Sequence, residues 1–144
     1  MSQVEEVQEL NDDVGYLVYN ETLIDHFTNP RNTGEIENPD AMAVAGDPNC
    51  GDYIRVYIKV RDERIFDFKF LIMGCPAAIA TSSIATELAI GKTLDEALKL
   101  TDDDVIHAAG GIPARKAHCS LLATRGLHEA ILNYQKKQLC RTTE

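Results

Sequence analysis

The sequence predicts an α+β domain, a small antiparallel sheet accompanied by helices, and three observations carry that prediction. Tyr53–Val60 and Phe66–Ile72 alternate apolar and polar residues and are joined by the polar connector Arg61-Asp62-Glu63-Arg64, the pattern of an antiparallel hairpin. Ala77–Ile90, rich in Ala and Ser, follows Pro76 and ends at Gly91, as a helix does. Thr93 with Glu96, and Thr101 with Asp104, have the spacing of capping boxes that open further helices. The 144 residues suffice for one domain with a real core, burying about 70% of the surface of the unfolded chain.

Taken in order, the elements begin at Asn20, which caps a short amphipathic helix over Thr22–Phe27 with Leu23, Ile24 and Phe27 on one side. Asn29–Gly34 is a turn. The polar stretch Glu35–Asp40 leads into a short edge strand over Ala41–Ala45, broken by Gly46-Asp47-Pro48. In the hairpin, Ile54, Val56, Ile58 and Val60 share a face, as do Phe66, Phe68, Phe70 and Ile72 on the second run. For those faces to coincide, Val56 stands opposite either Phe68 or Phe70. Small residues through Ala77–Ala89 read as close packing against the sheet. The Thr101 helix ends by Gly110-Gly111, and a longer helix follows Pro113. Residues 1–18 hold five acidic and no basic residues and read as a poorly ordered acidic arm; 19–137 read as the single domain and 138–144 as a polar tail.

A net charge of −9 argues against nucleic acid or an anionic membrane as the partner. No apolar run approaches the roughly 20 residues of a membrane span, and the acidic start resembles neither a signal peptide nor a mitochondrial presequence, so the reading is cytoplasmic. In a reducing compartment, cysteines serve as metal ligands or reactive thiols rather than as a disulfide framework.

Three of the four cysteines stand in short segments at element ends: Cys50 in Asn-Cys-Gly-Asp, Cys75 in Gly-Cys-Pro, Cys119 in His-Cys-Ser. Either hairpin register carries Cys50 opposite Gly74 or Pro76, so two thiols 25 residues apart in sequence arrive together; cross-strand partners lie about 5 Å apart. Asp52 follows Cys50 at the spacing that points both side chains the same way on an extended chain. Cys75 sits at a helix N-terminus, and Cys119 in or just before the first turn of the last helix, where backbone N–H groups favour a negatively charged sulfur. His118 beside Cys119 makes a poor hydrolytic dyad, because neighbouring side chains on a helix diverge by about 100°; a shared metal tolerates the pair better. Three thiolates with a carboxylate and an imidazole in reserve fit either tetrahedral zinc or an iron-sulfur cluster. Cys140 reads as a bystander thiol, and His26, His107 and His128 as surface or capping residues.

The sequence Asp25-His26-Phe27-x-Asn29-Pro30-Arg31-Asn32-x-Gly34, together with Cys50-Gly51-Asp52, Gly74-Cys75 and Lys116-Ala117-His118-Cys119-Ser120, resembles the IscU/NifU-type iron-sulfur cluster assembly scaffolds over roughly Tyr19–Tyr134. The resemblance implies a small three-stranded antiparallel sheet with helices packed on one face. It implies that Cys50, Cys75 and Cys119, with Asp52 and His118 as alternates, hold a nascent [2Fe-2S] cluster or a Zn2+ ion, and that Cys119 is the persulfide acceptor. It also implies a non-enzymatic role and partners: a cysteine desulfurase, donors of iron and electrons, and apo-protein acceptors. A homodimer is compatible with it. Members served by a dedicated Hsp70-type chaperone carry Leu-Pro-Pro-Val-Lys where this chain has Ile112-Pro113-Ala114-Arg115-Lys116, which argues against that contact. The alternative is a zinc-binding, SufU-like persulfide relay; His118 and the lack of an insertion between Cys75 and Cys119 favour the scaffold. The chain is also expected to lack the further cluster-binding domains of longer NifU proteins.

Overall fold

The computed structural model describes residues 20–47, 52–111 and 121–143. The acidic arm and three expected ligands, Cys50, His118 and Cys119, lie outside them. In chain order the elements are α1 (Glu21–Thr28), β1 (Ala41–Asp47), β2 (Asp52–Arg61), β3 (Arg64–Met73), α2 (Pro76–Ala89), α3 (Leu94–Leu98), α4 (Asp102–Ala109) and α5 (Leu122–Thr143). The three strands form one antiparallel sheet in the order β1-β2-β3. The fold is the α+β arrangement that the sequence predicts.

Of the two registers, Val56 opposite Phe70 is the one adopted. Ile54, Val56, Ile58, Phe68 and Phe70 are all buried on the inner face, each contributing about 2 kcal/mol through the apolar area it removes from water. The alternation does not hold to the hairpin end. A bulge between Lys59 and Val60 shifts the pairing to Val60 opposite Ile65, so Ile65 turns inward and Phe66, expected in the core, is exposed with Arg61 stacked 3.9 Å from its ring centroid. An extra residue in one strand reverses which side chains face inward beyond it. The connector turns through Asp62 and Glu63, both at positive φ.

Helices cover the inner face. The central one, α2, is buried along most of its length. Ser82 Oγ and Thr81 Oγ donate to Ala78 O, and Thr86 Oγ to Ser83 O, so hydroxyls enter the core already bonded. α5 lies across β1 and β2, where Asn133 donates to Met42 O and Lys137 to Asp40 O. The polar stretch from residue 138 forms the last turns of this helix, which runs to Thr143. The capping boxes at Thr93/Glu96 and Thr101/Asp104 are formed, and Gly110 closes α4 at φ +78°.

The free edge of β3 is occupied by neighbouring chain. Phe70 exchanges hydrogen bonds with Asn32 and Gly34, and Ile65 with Gly91 and Lys92. On the outer face, Lys59 Nζ donates to Asn38 O and Tyr57 is buried, which leaves the face bare toward the opposite end.

Candidate functional site

Asp52 and Cys75, the two described members of the expected site, lie at the same end of the sheet. Asp52 opens β2 and pairs with Asp47 across the β1-β2 ladder. One row inward, Tyr53 is flanked by Gly46 and Met73, so the chain leaves β3 at Gly74 beside Asp52. A Cβ built on Gly74 would stand 3.5 Å from Asp52 Oδ1 and 3.0 Å from Ala78 Cβ; glycine there lets the carboxylate and the start of α2 close on the corner. Cys75 is the N-cap of α2, extended at φ −79° and ψ 171°, with Pro76 at the first helical position. Its side chain makes no capping hydrogen bond and is half-buried. A sulfur held there without a local partner, near a carboxylate, is placed to bind a ligand from outside the helix.

α5 starts at this end too. Gly46, at φ +91°, lies so close to β2 that a Cβ would fall 2.5 Å from Asp52 O and 3.2 Å from Leu122 Cδ1. One turn on, a Cβ on Gly126 would be 3.1 Å from Val56 Cγ1. The two glycines let α5 press directly on β1 and β2, with its first residue beside the strand that Asp52 opens. From the sequence Gly46 reads as a breaker of the edge strand, yet β1 runs through it to Asp47, its positive φ being what a close approach needs; Gly126 carries no local signal. Among the described residues no group of three or more His, Cys, Asp and Glu forms a metal site, three of the five expected ligands being outside them.

A family model for the NifU-like N-terminal domain matches residues 18–141. The chain belongs to that family. The iron-sulfur cluster assembly scaffold protein IscU 1 of Archaeoglobus fulgidus is 54% identical over 120 residues, spanning 83% of this chain and 78% of that protein. The scaffold protein IscU of Escherichia coli K12 is 41% identical over 126 residues, 85% of this chain and 98% of that one. The crystal structure of an N-terminal NifU-like protein from Brucella abortus superposes with a TM-score of 0.69 at 23% identity, covering 82% of this chain and 94% of the other, a likeness in fold.

In this NifU-like domain the His26–Gly34 segment serves α2. His26, expected at the surface, is 7% exposed. Leu23 and His26 form the buried face of α1, whereas Ile24 and Phe27, expected inside, are about 40% exposed. Arg31 N–H donates to Ser83 Oγ at 2.9 Å, Ser83 Oγ lies 2.7 Å from His26 Nδ1, and His26 Nε2 faces Glu87 at 3.6 Å. Asn32 Nδ2 donates to Thr86 Oγ1. With the proton on Nε2 every group in this chain has a role: Ser83 accepts from Arg31 and donates to His26. Burial, and next the Arg31 guanidinium, lower the His26 pKa, outweighing Glu87 and Asp25, which raise it. The folded state therefore binds fewer protons here than the unfolded chain, whose histidine titrates near 6.5. Stability from this residue is complete above that pH and falls as the pH drops below it. Thermal unfolding followed between pH 7.5 and about pH 5.5 is expected to show a declining melting temperature that His26→Gln flattens; a parallel decline in the variant would assign the effect elsewhere.

Proposed function

We propose that this protein is a non-enzymatic scaffold on which a [2Fe-2S] cluster is assembled and then handed to apo-proteins. The observation that carries this reading is the meeting of the Asp52 carboxylate with the Gly74-Cys75 corner at the end of the sheet where α5 begins. In the sequence Cys50 stands two residues before Asp52, and Cys119 three residues before Leu122. The family membership and the scaffold names of the relatives support the same conclusion. The cluster is cargo. Cys50, Cys75 and Cys119 supply three thiolates, and Asp52 or His118 completes the shell with a ligand that exchanges more readily than a fourth thiolate.

Sulfur arrives from a cysteine desulfurase as a persulfide on Cys119. That outer sulfur is at the zero oxidation level, so two electrons from a partner protein convert it to sulfide while the Cys119 thiolate is restored. Iron and electron donors and apo-protein acceptors are the further partners, a zinc ion can occupy the thiolates before iron does, and a homodimer is compatible with the sequence. The Ile112–Lys116 segment departs from the motif read by a dedicated Hsp70-type chaperone. No helix among the described residues is long and apolar enough to cross a membrane.

Anaerobic incubation with ferrous iron, L-cysteine, a reductant and a cysteine desulfurase is expected to produce the visible absorbance of a [2Fe-2S] centre with about two irons and two sulfides per cluster. Colourless protein that keeps zinc and passes persulfide onward would make it a relay instead.

A further inference from the structure

Gly74 links the end of β3 to the Cys75 cap of α2, and its backbone does not ask for glycine, since its φ is not positive. Space does. A Cβ there would meet Ala78 Cβ at 3.0 Å, Asp52 Oδ1 at 3.5 Å and Ile72 Cγ1 at 3.9 Å. Ala78 is poorly placed to step aside: it is fully buried, and its carbonyl accepts from Thr81 Oγ1 at 3.2 Å and from Ser82 Oγ at 2.7 Å. In a close-packed interior a contact that tight has to be relieved somewhere. With the first turn of α2 held, residue 74 itself must shift, and the next-nearest atom to the new carbon is the carboxylate oxygen of Asp52.

We propose that Gly74 is a positioning residue for the exchangeable ligand. It binds nothing itself. By carrying no side chain it lets the Asp52 carboxylate lie against the turn that presents Cys75, with room left around Oδ1 for an incoming metal. A metal ion bonded to that oxygen would stand about 2 Å from it, and a carbon 3.5 Å from the same atom takes up part of the space the ion and its other ligands need. One methyl group at residue 74 thus impairs the carboxylate while every ligand stays in the chain. With the cargo that the scaffold reading assigns, Gly74 governs how readily the cluster leaves; that consequence rests on the scaffold reading, whereas the link from Gly74 to Asp52 rests on the distances alone.

The test reads Co2+ bound to the full chain under anaerobic conditions, whose visible bands report the atoms around the ion, and beside it the rate of cluster release to an apo-ferredoxin. Gly74→Ala is expected to move the cobalt bands to those of Asp52→Ala and to slow release several-fold, as Asp52→Ala does. Added to Asp52→Ala it is expected to change neither, because residues acting through one group do not add. Combined with Ala78→Gly, which removes the 3.0 Å contact and keeps the methyl group beside Asp52 Oδ1, it is expected to keep the altered bands; this double variant carries the comparison where Gly74→Ala alone fails to fold. Parent bands in the double variant would overturn the proposal by assigning the effect to packing against α2. Parent bands in a folded Gly74→Ala, or effects of Gly74→Ala and Asp52→Ala that add, would overturn it as well. Cobalt bands that behave as expected in a chain that assembles no cluster would overturn the scaffold reading and leave the role of Gly74 standing.

Discussion

Cys75→Ser is expected to eliminate stable cluster formation while leaving the fold intact or slightly firmer. The reason lies in the position: Cys75 caps α2 with its backbone but not with its side chain. Serine is a favoured N-cap whose hydroxyl accepts from the first-turn amides, contributing about 1 kcal/mol. The substitution thus separates the two roles of this residue, improving the cap and removing a soft ligand that an alcohol does not replace. Iron and acid-labile sulfide after anaerobic reconstitution should fall to background, with a melting temperature at or above that of the parent. Asp52→Ala, in the same assay, should still form the cluster but release it more slowly to an apo-acceptor, because the readily exchanged ligand is gone. Normal cluster content in Cys75→Ser would remove that sulfur from the site and with it the proposed scaffold chemistry.

Gly46→Ala should be the most damaging single methyl group in the domain. At φ +91° an L-residue is strained by about 1–3 kcal/mol wherever it stands. Here the new carbon would also fall 2.5 Å from Asp52 O and 2.8 Å from Tyr53 Cα, both backbone atoms that cannot rotate away. Relief requires β1 to separate from β2 at the Gly46–Tyr53 row, next to the one that carries Asp52. Gly91→Ala is the matched comparison, with φ +94° and nothing within 4 Å of the added carbon; it isolates the backbone strain. The expected loss is about 3 kcal/mol for Gly46→Ala against about 1 kcal/mol for Gly91→Ala, a difference of several degrees in melting temperature for a domain of this size. Equal melting temperatures in the two variants would mean that the strands yield at no cost.

Local physics explains why the hairpin, its partner strand and the helix starts were legible. Period-2 alternation, capping boxes and a Pro-to-Gly bracket around α2 are short-range signals, and each element lies within a few residues of its expected span. Two things were not local. The bulge after Lys59 left no mark in composition, so Phe66 was counted as core by extending the alternation one residue too far. His26 reads as a surface residue on its own helix; only the return of Ser83, 57 residues later, shows that it is a buried polar junction. The serines and threonines of α2 were taken for small packing residues, and Ser83 and Thr86 prove to be the hydrogen-bonding half of the His26–Asn32 segment. Of the site, the sequence brought Asp52 and Cys75 to one end of the sheet, and the structure puts them there. Gly46 was taken for a strand breaker, although β1 continues through it to Asp47, and Gly126 was passed over, because a glycine needed for close approach looks like any other until the neighbouring chain is in view.

The strand order ends at β3, and along that edge Asn32 and Gly34 hold the amide and carbonyl of Phe70 while Lys92 and Gly91 hold those of Ile65. A scaffold of this kind has to tolerate loosening at the end where cargo enters and leaves. Interrupted at Phe70 and Ile65, that border offers no long continuous run of free groups on which copies could stack into fibrils.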